Sequence, residues 1–302
     1  MAKARAITKR RKAVRNIRKI TETMQLIATA RYQKCLHRAT ASQPYTQAIT
    51  AMIQTLAGQP AADHPLLKAN AGCDRSRLLV ITSNRGLCGS YNAAVLRRLV
   101  EQRGTLSAAG LTPAVDVVGK KGIAYLRFLG VEVAETITDV EDRIAFSRVS
   151  ALAEGYMRLY REGAVARVEV VCMQFHSLGV QRPALVQLLP IAPPQSAPRA
   201  PANGSGAAGA DARPRRVEFE FSPPPAELLA RLIPETVKVR LFQCFNDAIL
   251  SEQVARMLAM KAATDAAGDM IKCLTRRYNR ARQTQITMEL ADIVGGANAV
   301  QS

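Results

Sequence analysis

The sequence predicts an α/β chain: a long antiparallel coiled coil of its N- and C-terminal helices, plus a central α/β domain. Three observations predict it. Leu250, Gln253, Met257, Met260, Thr264, Ala267, Ile271, Leu274, Tyr278, Ala281, Gln285 and Met288 recur at alternating spacings of three and four. That is the 3.5-residue repeat of a helix that supercoils around a partner. A second narrow apolar stripe, Val14, Ile17, Ile20, Met24 and Ile27, lies near the other end. Between the two, short apolar runs alternate with helical patterns, as in a mostly parallel sheet with crossover helices.

The N-terminal helix is expected over residues 3–56, within a coiled-coil segment 1–58. Pro44 should kink or restart it, because proline removes a backbone donor and clashes one turn back. The seam on this helix is expected at Ile17, Ile20, Met24 and Ile27. Gly58, Pro60 and Pro65 end the segment.

The central domain, 74–191, reads as Rossmann-like. Leu78 to Thr82 is a strand, followed by the turn Ser83-Asn-Arg-Gly-Leu-Cys-Gly-Ser-Tyr-Asn92 and a helix to about Gln102. Strands are expected at 114–118, 131–136, 167–175 and 184–190, with helices at 120–129 and 144–162. The glycine-rich turn could hold a phosphate, but it lacks GxGxxG and the Lys-Ser/Thr of a P-loop. It is therefore read as a tight strand-to-helix turn. Cys88 has no evident His partner and receives no catalytic role.

From Ala192 to Pro214 the composition shifts to Ala, Pro, Gly and Ser, which cannot bury a core. Residues 192–215 are expected to be a disordered insertion, and 216–222 the last strand of the α/β domain. The C-terminal segment, 223–302, should open with a short helix to Leu232, then the long helix from Pro234, since proline suits a first turn. A helix from Glu235 to Gly295 would be roughly 90 Å long. Its seam, which includes Met257, Met260, Ile271, Leu274 and Tyr278, also holds Gln253, Thr264, Ala267, Ala281 and Gln285. A seam built for stability alone would use Leu and Ile, so this rod is expected to touch other proteins along its length.

Composition narrows the function. The 302 residues are 48% hydrophobic and 22% charged, which is globular in class. No apolar run approaches the roughly 18 residues of a membrane span. The N-terminus is Arg-rich and has no apolar h-region, so it does not read as a secretory signal. It resembles a transit peptide only superficially, since it runs unbroken into the helical pattern. The six cysteines are scattered without a CxxC pair, so no metal or cofactor is expected and a reducing compartment fits. The formal charge is +18, and Met1 to Thr40 holds twelve Lys or Arg against Glu22 alone. Such a helix suits nucleic acid, an anionic membrane or acidic protein loops. Nucleic-acid binding would call for interleaved aromatics, and only Tyr32 is present there.

Particular motifs carry a family resemblance along nearly the whole chain. Met260-Lys-Ala-Ala-Thr-Asp265 is followed by Tyr278-Asn-Arg-Ala-Arg-Gln283, Ile286-Thr287, Glu289-Leu290 and Ile293-Val294. Ile17-Arg-Lys-Ile-Thr21 with Met24, Ile81-Thr-Ser83 with Arg85-Gly-Leu-Cys-Gly89 and Asn92, and Leu232-Ile-Pro234 agree. The chain resembles the gamma subunits of rotary F-type ATP synthases. Asn84 departs from the usual acidic residue, and Arg31 stands where Lys is common.

The resemblance implies a non-catalytic rotor shaft that couples proton flow to conformational cycling of the beta-subunit sites. It implies alpha and beta subunits, an epsilon subunit and a membrane ring of c subunits as partners, with no small-molecule substrate of its own. By the family match, Arg282, Gln283, Thr287 and Glu289 contact beta-subunit loops, and Arg11, Lys12 and Arg31 face acidic beta loops. The expected location is peripheral, on the cytoplasmic face of a bacterial plasma membrane. The alternative is a basic coiled-coil module for nucleic acid. Plastid members of the family carry a cysteine pair in an insertion near residues 192–214, where this chain has none. ATP hydrolysis by the assembled enzyme is accordingly expected to be unchanged by dithiol reduction, and deletion of Pro193 to Arg213 to leave assembly intact. A several-fold activation by dithiol, or failure to recover the complex, would contradict these expectations.

Overall fold

The computed structural model describes residues 2–57, 64–70, 72–191 and 225–301. The expected insertion at 192–215 and strand at 216–222 lie outside the described residues. The elements in order are α1 (Ala2–Ala57), β1 (Arg75–Ile81), α2 (Tyr91–Ala108), β2 (Thr112–Val118), α3 (Lys120–Phe128), β3 (Val133–Ile137), α4 (Phe146–Arg161), β4 (Arg167–Phe175), β5 (Gln181–Leu189) and α5 (Pro225–Gln301).

Two compact units divide the chain. The first contains Met1–Lys34, Leu87–Gly89 and Glu252–Ser302, and the second Cys35–Gly86 and Ser90–Ser251. Both long helices therefore contribute residues to each unit.

In the second unit the strands run in the order β3-β2-β1-β4-β5. The pairs β1–β2, β1–β4 and β2–β3 are parallel, and β4–β5 is antiparallel. Apolar runs such as Leu78-Leu-Val-Ile81 and Val168 to Met173, the latter broken only by Glu169, are buried throughout. That is the mark of strands covered on both faces. Helix α2 contributes Val95, Leu96, Leu99 and Leu106, and α4 contributes Val149, Leu152, Tyr156 and Tyr160. Separations of three, four and seven put each set largely on one helical face.

Within this unit α5 buries Ile233, Val237, Leu241, Phe245 and Ala248. Lys238 Nζ bridges Glu154 on α4 and Glu235 on its own helix, each at 2.9 Å. Two buried carboxylates have side-chain partners, although the Asp116 Oδ1 oxygen has no hydrogen-bond partner among the described residues. Asp116 accepts from Arg77 Nε at 2.7 Å and the Tyr156 hydroxyl at 2.9 Å, and Glu169 accepts from Gln102 Nε2 at 2.8 Å. Burial raises the Asp116 carboxyl above its ordinary range despite the opposing pull of Arg77.

The restart expected at Pro44 and the break expected before Pro234 are corrected. Helix α1 continues through Pro44, and α5 begins at Pro225 and continues through Pro234. An internal proline deprives only the carbonyl one turn back of its donor, and long flanking runs of helix override that local loss.

Buried Cys172 on β4 and Cys244 on α5 place their thiols in hydrogen-bond contact. The Cys244 hydrogen bond and burial raise the Cys172 thiol well above its ordinary range. A thiol so disfavoured as thiolate is a poor nucleophile.

Burial also raises Asp247 to about 6, against an ordinary 3.8, while its 2.9 Å hydrogen bond from Gln243 Nε2 works the other way. A carboxyl raised in the folded state disfavours its charged form, so its penalty is full above about 6 and is relieved as pH falls toward 4. Asp247→Asn is expected to raise stability at pH 8 by on the order of 1–2 kcal/mol. The gain should shrink below pH 6. Urea midpoints of parent and variant at pH 8 and pH 5 check this, and a gain equal at both would refute it.

Candidate functional site

The glycine-rich turn after β1 is a closed structural device. Thr82 Oγ1 accepts from the Gly122 amide at 3.0 Å, the Ser83 carbonyl from the Lys121 amide at 3.1 Å, and Asn84 Oδ1 from the Lys120 amide at 3.1 Å. The first amides of α3 are thus taken by the turn itself, which ties the end of β1 to the helix after β2. Asn92 reaches back to Ser83, and Leu87 and Gly89 adopt the left-handed region, at φ 65° and 56°. A Cβ on Gly89 would already touch the Ala259 Cβ at 3.5 Å, so the turn lies close against α5. Cys88 is buried. Among the described residues no group of three His, Cys, Asp or Glu is placed to hold a metal ion.

The first unit is a pair of antiparallel helices. Arg11 stacks on Tyr278, with the guanidinium carbon 5.0 Å from the ring centroid. Val14 clusters with Ala267 and Leu274, with Ile7 and Ile271 packed against them. Thr264 Oγ1 lies 2.8 Å from Thr21 Oγ1. Contacts that ascend α1 therefore descend α5.

On α5 the 3.5-residue repeat is the seam. Met260, Ala267 and Leu274 are buried, and Met257, Thr264, Ile271, Tyr278, Ala281 and Gln285 are half-buried. On α1 the seam differs from the expected one. Ile17, Ile20, Met24 and Ile27 are 53, 57, 39 and 43% exposed. The buried line is Val14, Thr21 and Ala28, seven residues apart, with Ile7, Arg11, Gln25 and Tyr32 half-buried beside it. The pair closes on small and polar side chains, and the larger apolar residues of α1 point away from it. The exact heptad Val14, Thr21, Ala28 was present in the sequence, but larger isoleucines nearby masked it.

Hydrogen bonding makes this seam tolerant of movement. Thr21 Oγ1 also lies 2.9 Å from the Arg18 carbonyl, and Thr264 Oγ1 2.9 Å from the Met260 carbonyl. Each hydroxyl can therefore donate to its own helix, so a shift between helices leaves no buried hydroxyl unsatisfied.

The outer surface combines exposed Ile17, Ile20, Met24, Leu26 and Ile27 with exposed Lys9, Arg10, Lys12, Arg15, Arg18 and Lys19. Of the other residues singled out by the resemblance, Arg282, Gln283, Thr287 and Glu289 are exposed on α5. Thr287 Oγ1 donates to the Gln283 carbonyl at 3.0 Å, and Glu289 accepts from Gln285 Nε2 at 2.7 Å. Arg11 and Arg31 are half-buried and Lys12 is exposed. Past Gln285 every side chain to Gly296 is exposed, including Ile286, Met288, Leu290, Ile293 and Val294.

A family model described as ATP synthase matches residues 3–300. The ATP synthase gamma chain of Rhodopirellula baltica is 44% identical over 302 residues, which cover all of both chains. That of Leptospira biflexa is 34% identical over 301 residues, 99% of this chain and 100% of the relative. A chain of the Euglena gracilis mitochondrial ATP synthase, in an OSCP/F1/c-ring structure at rotational state 3, is similar at a TM-score of 0.67 and 16% identity. That match covers 99% of this chain and 95% of the other. A chain from the rotor of the same enzyme in rotational state 1 gives 0.63 at 17% identity, over 94% and 99%.

Proposed function

The chain belongs to the ATP synthase gamma chain family, and from that membership we propose that it works as the central rotor shaft of an F-type ATP synthase. It couples proton flow through the membrane sector to conformational cycling of the beta-subunit sites, in synthesis or hydrolysis of ATP. Its own part is mechanical and non-catalytic. Alpha and beta subunits surround the helical pair, and the α/β unit meets the epsilon subunit and the c ring. Its place is peripheral, on the cytoplasmic face of a bacterial plasma membrane. Among the described residues no helix is long and apolar enough to cross a membrane.

The observation that carries the mechanism is the division of α1 into a thin inner seam and an apolar, basic outer face. A ligand shifts a conformational equilibrium only through unequal contact with its states. Taking one beta site from mostly open to mostly closed requires about 5 kcal/mol of such bias. A shaft that is uniform around its axis supplies none. This one presents Ile17, Ile20, Met24 and Ile27 among cations, and Arg282, Gln283, Thr287 and Glu289 further along α5. We assign beta-loop contact to those four residues of α5 and to Lys12, while Arg11 serves partly to hold Tyr278. Arg31 remains a candidate contact from the edge of the seam.

The nucleic-acid alternative gains nothing from the relatives, and Tyr32, the aromatic it would need, is half-buried beside the seam. Co-expression with alpha and beta subunits tests the choice. A stoichiometric complex that hydrolyses ATP supports the shaft, and a chain that purifies without beta subunits in every salt condition overturns it.

A further inference from the structure

A cleft of about 530 Å³ opens on the second unit, lined by α1, the loop before α4, and α5. One wall is apolar: Ile144 and Ile249 flank Phe146 and Phe242, whose rings meet edge to face with centroids 5.4 Å apart. The other groups are mostly donors. Arg143 is exposed and, among the described residues, forms no hydrogen bond or ion pair. Asn246 Nδ2 is buried and, among the described residues, has no hydrogen-bond partner, a costly condition unless a ligand or water meets it. Helix α4 starts here after Ala145, which offers no side-chain cap; the Arg148 amide bonds the Ala145 carbonyl at 3.1 Å, and the Phe146 and Ser147 amides have no bond among the described residues. Arg38 Nη1 donates to the Asp142 carbonyl at 3.2 Å and so ties down the loop that carries these groups. Asp142 is the one carboxylate among the lining residues, against two arginines.

We propose that this cleft binds a small amphiphilic organic anion. The apolar body lies against Phe146, Phe242 and Ile249, and the acid group accepts from Arg143, Asn246 and the start of α4. The volume lies within the usual range for small-molecule sites. Inorganic phosphate would leave the apolar wall uncovered, and a neutral alkane or alcohol would leave the cations and the orphan amide without a charge to meet. The inference is independent of the rotor role, since none of these residues belongs to the outer faces of the helical pair.

Calorimetric titration of the full chain with octanoate tests it. Saturable binding is expected, weakened about tenfold by Arg143→Glu and by Asn246→Asp. Arg127→Glu makes the same charge change at an exposed site on α3 and is expected to bind as the parent does. Neither 1-octanol nor inorganic phosphate should saturate over the same range. Arg143 is exposed, so its variant folds whatever happens at Asn246. The proposal is overturned by absence of saturable octanoate binding, by equal binding of 1-octanol, by parent-like binding in either cleft variant, or by an equal loss in Arg127→Glu, which would mark a general charge effect.

Discussion

Gly119→Ala is expected to destabilise the α/β unit by about 3 kcal/mol or more, one of the largest effects available to a single methyl group in this chain. Two separate causes add. The backbone at Gly119 has φ 97° and ψ 138°, a conformation left-handed for L residues and essentially confined to glycine. A Cβ there would also overlap the Thr82 carbonyl, with the Thr82 Oγ1 only 2.8 Å away. That oxygen belongs to backbone at the end of β1 and cannot swing aside as a side chain would. Moving it breaks the bond that the Gly122 amide donates to Thr82 Oγ1, and with it the closed turn. Gly110→Ala provides the comparison, because Gly110 has φ 78° but nothing within 4 Å of a built Cβ. It should cost about 1 kcal/mol from conformation alone. Urea midpoints of the two variants separate the contributions. If Gly119→Ala costs no more than Gly110→Ala, the crowding against Thr82 is not real and the turn is looser than described.

The same turn shows what could be read from the residues. Its lack of GxGxxG and of a P-loop Lys-Ser/Thr pointed to a tight structural turn, and the structure shows Thr82, Ser83 and Asn84 accepting from the first amides of α3. Strand and helix alternation was legible because buried strands are short, dense apolar runs whose pattern survives without context. Strand ends were less so: β2 starts at Thr112 and β5 at Gln181, ahead of the apolar runs that betray them. Ladder bonds extend into polar residues that no side-chain pattern marks. The α5 seam was legible because one face alone carries the repeat. The α1 seam was not, since two apolar rows compete there and residue size pointed to the wrong one. In most helices the larger row packs inward; here Val14, Thr21 and Ala28 do so, and the larger row faces whatever surrounds the shaft. The prolines misled for a related reason, local propensity being a weak prior against long runs of good helix. The cleft beside Asn246 had no sequence signature, because its walls come from three distant segments.

The choice between those two rows on α1 yields the second large effect. Leu274→Lys places an ammonium in the cluster of Val14, Ala267 and Leu274, close to the Arg11–Tyr278 stack. No carboxylate belongs to that cluster, and an unpaired buried charge costs several kcal/mol unless it reaches solvent. A loss of about 3 kcal/mol is expected in the local stability of the pair, which is roughly a hundredfold faster amide exchange through the middle of both helices. Met24→Lys should behave differently, because Met24 is 39% exposed on the outer row. Its effect on helix pairing should stay within about 0.5 kcal/mol. In the assembled enzyme, however, it brings a new cation to the face we propose meets the beta subunits, without touching any nucleotide site. ATP hydrolysis should persist while proton pumping per ATP falls, and Met24→Leu should match the parent on both counts. Exchange rates on the free chain, with pumping and hydrolysis on the same reconstituted vesicles, separate the possibilities. If Met24→Lys loosens the pair as much as Leu274→Lys, then Met24 lies in the seam and the heptad of Val14, Thr21 and Ala28 does not. If the pair stays tight and the pumping ratio is also unchanged, the outer row of α1 is not where rotation is converted into unequal contact, and that role passes to the exposed residues of α5 around Arg282 and Glu289.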